Sequence, residues 1–301
     1  MPSLRAKLVN MYLRRSMKSK RLDLIDPPVL RAMIEKNSIP LLPKGVSHEE
    51  VNEGGVRGEW RRPESGAECT VLYLHGGGYV FGSPRTHRTL TAPLALAAKA
   101  DVFVPIYRLA PEHPCPAAIE DAVAAYEWLL AKGVKPEKLV IGGDSAGGGL
   151  TLATLVALKE KGLPLPAGAL LYSPWTDLTG GGQSMTTNAK SDAMFSRETI
   201  LGGAHKYYAG LGARDPRVSP LFADLTGLPP MLVFASDSEL LYSDAVRLIE
   251  KAQVSGVPAR FEVRKGLAHV WPLFHPLLPE AKEAIGISAE FIRERTGGVK
   301  A

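Results

Sequence analysis

Residues Gly143-Asp144-Ser145-Ala146-Gly147 lie between a short apolar run at 139–142 and an apolar stretch of helical character at 147–159. No other feature constrains the fold as much. A serine with small neighbours at a strand-to-helix junction implies a sharp, strained turn that lifts its hydroxyl above a sheet, at the N-terminus of a helix. Such a turn needs a strand buried in a parallel sheet. The chain supplies the pattern: short apolar runs at 71–74, 102–107, 169–172, 231–235 and 260–263 alternate with helical periodicity at 117–130, 244–253 and 280–294. This βαβα order predicts a mostly parallel sheet with helices on both faces.

Two segments break that rhythm. Residues 1–45 precede the sheet and read as helical, and about 180–225 form an insertion opening on Gly180, Gly181 and Gly182. A structureless loop of that length is unusual inside a domain, so the insertion is expected to be partly helical and to pair with the N-terminal helices as a lid; a rigid insertion is the alternative. The expected layout is one catalytic domain at 46–301 with a small cap built from 1–45 and about 180–225. Hydrophobic residues make up 45% of the chain, enough for a sizeable core, which argues against disorder.

The formal net charge of +5 is concentrated at one end. Arg5, Lys7, Arg14, Arg15, Lys18, Lys20 and Arg21 all precede Asp23, the first acidic residue. Leu4, Leu8, Met11 and Tyr12 recur at helical spacing among them, which predicts a basic amphipathic helix lying on the body of the protein. A helix meeting a lipid surface or an acidic substrate is the sharper alternative. No nucleic-acid motif accompanies the charge, so no nucleic-acid partner is expected. No apolar stretch approaches the ~20 residues needed to cross a bilayer, and no signal-peptide pattern is present. The expectation is a cytoplasmic protein without stable membrane insertion. Cys69 and Cys115 have no metal-ligand or CxxC spacing and are expected as free thiols; no metal or organic cofactor is expected.

A serine nucleophile needs a base, and the developing oxyanion needs donors already aimed at it. His75-Gly76-Gly77-Gly78-Tyr79 directly follows the run at 71–74 and is of the kind that forms an oxyanion loop. Gly76, Gly77, Gly78 and the N–H of Ala146 form the candidate oxyanion hole, with Gly77, Gly78 and Ala146 as donors and Gly76 supporting the turn. His269, in the loop beyond 260–263, is the candidate base; His275 is its only rival by position. The acid falls in the loop after 231–235, where Asp237 and Glu239 are both available and Asp244 already reads as helical. Physical reasoning alone does not separate Asp237 from Glu239. Tyr79, Trp175, Phe195, Tyr207, Tyr208, Leu211 and Trp271 are candidates for the substrate wall or the core, and Trp271, beside the histidine, is the one most expected at substrate.

HGGGY at 75–79, YRLAPE at 107–112 followed by His113-Pro114, GDSAGG at 143–148 and GLAH ending at His269 together resemble the hormone-sensitive-lipase-like carboxylesterases, the bacterial family IV esterases. The resemblance covers nearly the whole chain. It implies an α/β-hydrolase fold with a helical cap, hydrolysis of short- to medium-chain esters by a serine–histidine–acid triad through an acyl-enzyme, no cofactor, and frequent dimerisation through a sheet edge. The family carries its acid in an Asp-Pro-Leu sequence soon after a Pro-Pro-led strand. This chain departs from that wording, and aligning from Pro229-Pro230 without gaps puts the acid at Glu239. Alternatives on the same scaffold are an amidase or deacetylase, or a non-catalytic small-molecule receptor.

Overall fold

The computed structural model describes residues 1–38 and 43–297. Its strands are β1 (Val46–Glu53), β2 (Val56–Pro63), β3 (Cys69–Leu74), β4 (Ala100–Pro105), β5 (Leu139–Asp144), β6 (Gly168–Tyr172), β7 (Met231–Ser236) and β8 (Ala259–Arg264). Its helices are α1 (Leu4–Leu13), α2 (Pro27–Asn37), α3 (Arg88–Ala98), α4 (Ala117–Ala131), α5 (Ala146–Glu160), α6 (Ser184–Thr187), α7 (Arg197–Tyr208), α8 (Tyr242–Val254) and α9 (Pro279–Arg295). The strands form one sheet in the order β1-β2-β4-β3-β5-β6-β7-β8. The β1–β2 and β2–β4 pairs are antiparallel and every other pair is parallel.

Strands β3, β5, β6 and β7 are buried along their whole length, which is why they read as continuous apolar runs. Their side chains still alternate between two cores. Leu72, Leu74, Ile141, Leu171 and Val233 pack with α4, α5 and α8, while Val71, Tyr73, Val140, Leu170 and Phe234 pack with α3 and α9. The sequence pattern missed β1, β2 and α3. Strand β1 is an edge with mostly exposed polar residues, so it lacks the apolar signal. Helix α3 carries Pro93 in its interior, which breaks the helical pattern.

Helix α1 lies on the body but turns a different face to it than its periodicity predicts. Ala6 and Leu13 are buried and Val9 packs beside them, whereas Leu4, Leu8, Met11 and Tyr12 are exposed. Polar anchors fix this rotation. Ser3 N–H donates to Glu280, Asn10 Nδ2 donates to the Gly266 carbonyl at 2.9 Å, and Arg14 and Lys18 donate to carbonyls of residues 189–192. The small Ala6 allows the close approach.

The insertion is partly helical, through α6 and α7. It meets the N-terminal segment directly: α7 packs on the turn Leu22–Leu24, and Lys206 Nζ donates to the Asp23 carbonyl at 2.6 Å.

Candidate active site

Strand β5 ends at Asp144, and Ser145 is the turn residue between it and α5, with φ 54° and ψ −121°. That conformation is costly for a residue with a side chain and persists only where the surroundings over-determine it. Here they do. Ser145 N–H donates to the Tyr172 carbonyl at 2.9 Å, and its carbonyl accepts from the N–H groups of Gly148 and Trp175. A Cβ on Gly147 would stand 2.0 Å from the Leu74 carbonyl oxygen, so only glycine lets α5 start this close to the end of β3.

The glycine loop leaves β3 beside that turn. Gly77 has φ +123°, and a Cβ there would meet the Phe81 carbonyl oxygen at 2.0 Å. Gly77 and Gly78 line the cleft with Ser145, and neither donates its N–H to a protein acceptor among the described residues. Ala146 opens α5, where the N–H has no intrahelical partner. Gly76, grouped with the oxyanion residues but expected to support the turn rather than donate, points its N–H inward and donates it to Asp144 Oδ1 at 3.1 Å. A group already bonded in the interior is not a free donor to substrate.

A buried network behind this loop has no counterpart in the sequence reading. Asp144 accepts from Tyr73 Oη at 2.8 Å and pairs with His87 at 3.3 Å. Burial alone would raise the Asp144 carboxyl, but the His87 charge and hydrogen bond outweigh it and hold it below the usual range. Burial would lower His87, and Asp144 in turn raises it. His75 is pushed down to about 3 by burial and then by the neighbouring His87, which keeps its ring neutral. Tyr107 stacks on that ring and donates to the His75 carbonyl at 2.6 Å. Arg31 of α2 donates to the carbonyls of Val80 and Ala110 and forks onto Glu112, tying the YRLAPE segment and the glycine loop to the N-terminal helices.

His269 is 3% exposed and meets Glu239, which is fully buried, through Nδ1 and Oε2 at 2.7 Å. A carboxylate only accepts, so the proton sits on Nδ1 and the basic lone pair on Nε2. That Nε2 is buried with no hydrogen-bond partner among the described residues. Burial would lower the His269 pKa; the hydrogen bond and charge of Glu239, with more distant Asp192 and Asp144, overcome it and raise the value above normal. Asp237 lies elsewhere, capping Gly266 N–H through Oδ1 at 2.9 Å and lining a separate surface cleft. Asp244 is buried in α8, accepts from the N–H groups of Thr176 and Asp177, and is raised to about 7 by burial. His275 follows a 3-10 turn, is half-buried, and makes no hydrogen bond or ion pair with the three acids among the described residues.

Asp192, in the insertion, was invisible to motif reading because nothing in its local sequence marks it. Its carboxylate accepts from Met194 N–H at 2.7 Å, Phe195 N–H at 2.9 Å and Leu240 N–H at 2.8 Å, so it ties the insertion to the residue after Glu239. Asn188 adds bonds to the carbonyls of Asp237 and Glu239. Phe195 places its ring edge-on to His269 with centroids 5.4 Å apart.

The cleft above Ser145 encloses about 490 Å³ of empty space, its open mouth included. Leu22 and Leu30 from the N-terminal segment, Val80 and Phe81 from the glycine loop, and Phe195 and Ile200 from the insertion form its apolar wall, with Trp175. Trp271 is not there; it is buried against Phe234 in the α3–α9 core. Tyr79 and Tyr207 stack on each other at 3.6 Å behind the wall, and Tyr208 and Leu211 pack on the same core. Chemically, the arrangement offers a serine hydroxyl, a carboxylate-oriented imidazole and free backbone donors beside one apolar cleft.

Comparison with known proteins agrees with this chemistry. Residues 71–273 match the family model described as the alpha/beta hydrolase fold. An acetyl-hydrolase of Streptomyces hygroscopicus is 44% identical over 82% of this chain and 83% of its own, and an esterase of Acinetobacter venetianus is 39% identical over 82% of each. The crystal structure of an esterase from the bacterial hormone-sensitive lipase family superposes with a TM-score of 0.92 at 42% identity, covering 99% of this chain and 100% of that one. The structure of EstE5 soaked with p-nitrophenyl butyrate superposes with a TM-score of 0.94 at 41% identity, over 98% of this chain and 100% of that one. The chain therefore belongs to the α/β-hydrolase family, in its hormone-sensitive-lipase-like branch, and is a serine carboxylesterase.

Proposed function

We propose that Ser145, His269 and Glu239 act as a catalytic triad that hydrolyses short- to medium-chain acyl esters of small molecules through an acyl-enzyme. The observation that carries this reading is the buried Glu239–His269 bond at Nδ1, which leaves the unpartnered Nε2 as the basic atom of the site. In the first half-reaction Nε2 takes the Ser145 proton as Oγ attacks the ester carbonyl, and the oxyanion is received by Gly77, Gly78 and Ala146 N–H. The imidazolium formed is stabilised by Glu239 and protonates the leaving alcohol. Water, deprotonated by the same nitrogen, then attacks the acyl carbon, and as the bond to Ser145 Oγ breaks the imidazolium returns the proton to that oxygen, releasing the acid and regenerating the serine.

The pH dependence follows from the same bond. Only neutral His269 accepts a proton, so activity falls as pH drops through its pKa, and the Glu239 contact moves that limb above the ordinary histidine value. The chain-length preference is supported by the confined apolar cleft, and by relatives that are an acetyl-hydrolase and an esterase crystal soaked with a butyrate ester.

Steady-state hydrolysis of p-nitrophenyl esters from acetate to palmitate tests the proposal. The expected result is a maximum at short or medium chains, and a loss of about a million-fold in kcat for Ser145→Ala. Substantial turnover by folded Ser145→Ala, or a preference for palmitate, would refute it.

A further inference from the structure

We propose that the outward face of α1 seats on an anionic lipid surface. Helix α1 is apolar on two nearly opposite sides. Ala6, Val9 and Leu13 pack on the body, while Leu4, Leu8, Met11 and Tyr12 occupy about 100° of arc on the far side. Leu4 is 74% exposed, Leu8 53%, Met11 46% and Tyr12 68%. A helix apolar on both sides is stable against water on neither, and only one of these faces has a partner among the described residues.

Charge identifies the occupant. Lys7, Arg15 and Lys20 are exposed and make no side-chain hydrogen bond or ion pair among the described residues, and Arg5 makes only a 3.5 Å contact with the Leu277 carbonyl. No acidic residue precedes Asp23 to balance them. A second copy docked about a two-fold axis on this face would set its own basic residues against these, so a self-complementary dimer is disfavoured. Nucleic acid would satisfy the cations but would gain nothing from Leu4, Leu8 and Met11. A lipid interface with anionic headgroups satisfies both, since apolar side chains enter the acyl boundary while the flanking cations meet phosphate. The position also suits an esterase: α1 leads into Leu22 and Leu30, which wall the cleft, so docking holds the cleft beside a source of apolar esters.

The test is co-sedimentation of the full chain with phosphatidylcholine vesicles with or without phosphatidylglycerol. The wild type is expected to bind the phosphatidylglycerol vesicles, to release as salt rises, and to ignore phosphatidylcholine alone. Lys7→Glu/Arg15→Glu removes two favourable charges at roughly five-fold each and adds repulsion, so binding should fall more than about 25-fold. Leu4→Ser/Leu8→Ser/Met11→Ser should abolish it. Both variants should keep wild-type turnover of p-nitrophenyl acetate, which shows that they fold. The proposal is overturned if the wild type does not bind these vesicles, or if the leucine and methionine changes leave binding intact. It is equally overturned if those changes instead dissolve a dimer seen by light scattering, or if the basic face binds duplex DNA and not vesicles.

Discussion

The floor of the active-site cleft and its roof are held by different physics. The floor is built where β3 and β5 end. Ser145 keeps its positive φ through sheet and turn hydrogen bonds, Gly147 and Gly77 allow backbone approaches that no Cβ would tolerate, and the Asp144–His87 pair is buried beneath. The roof is built from the turn at Leu22–Leu24, α2 and the insertion, and is fastened mainly by side chains reaching carbonyls: Arg31 to Val80 and Ala110, Arg14 and Lys18 to residues 189–192, Lys206 to Asp23. Most of the roof's anchoring side chains are exposed or half-buried, while the floor's polar groups are buried. Errors in the floor should therefore cost chemistry, and errors in the roof should cost binding and stability.

The largest test of this contrast is the acid. Glu239→Gln removes the carboxylate bonded to His269, and an amide holding the wrong tautomer should lower kcat by about 10⁴-fold. Its acid limb should also move to lower pH, because the contact that raises His269 is gone. Asp237→Asn, whose carboxylate caps Gly266 instead, should leave the pH profile and kcat within a few-fold of wild type. Equal losses in the two variants would break the assignment.

A smaller effect is expected for Gly77→Ala. The added Cβ must displace the Phe81 backbone, and the shifted N–H should cost on the order of 100- to 1,000-fold in kcat with KM little changed. A loss expressed only in KM would mean that the loop binds substrate and does not stabilise the oxyanion.

The smallest of the three bridges floor and roof. Asp192→Asn leaves one of the three N–H groups, two of them buried, facing an amide donor, and should destabilise the fold by ~1–3 kcal/mol in denaturant unfolding. Because Asp192 also helps to raise His269, the acid limb should shift slightly downward. An unchanged limb with the same loss of stability would make Asp192 a fastener of the roof alone.

The parallel sheet was legible because β3, β5, β6 and β7 are buried on both faces, so burial is written into them as unbroken apolar runs. Strand β1 was not, because its exposed face requires nothing of its residues. The same division applies to the site. Gly143 to Gly147 could be read because a strained turn demands small residues at consecutive positions, and the glycine loop because close backbone approach demands the same. Trp271 was misplaced for the opposite reason: adjacency to His269 in sequence says nothing about which way an indole turns, and the left-handed Val270 between them sends it into the α3–α9 core.

What the sequence determined by itself is what local chemistry demands: alternating strands and helices, a serine at a strand-to-helix turn, a glycine loop, and a histidine after the last strand. Spacing left Asp237 and Glu239 open and the family resemblance pointed to Glu239, but only the tertiary structure decided that Gly76 turns its N–H inward, that Asp192 ties the roof to the Glu239 loop, and which side of α1 meets water. Each of these depends on the relative rotation of segments distant in the chain. Such rotations are set by side-chain bonds and packing across the whole fold, and no spacing within one segment encodes them.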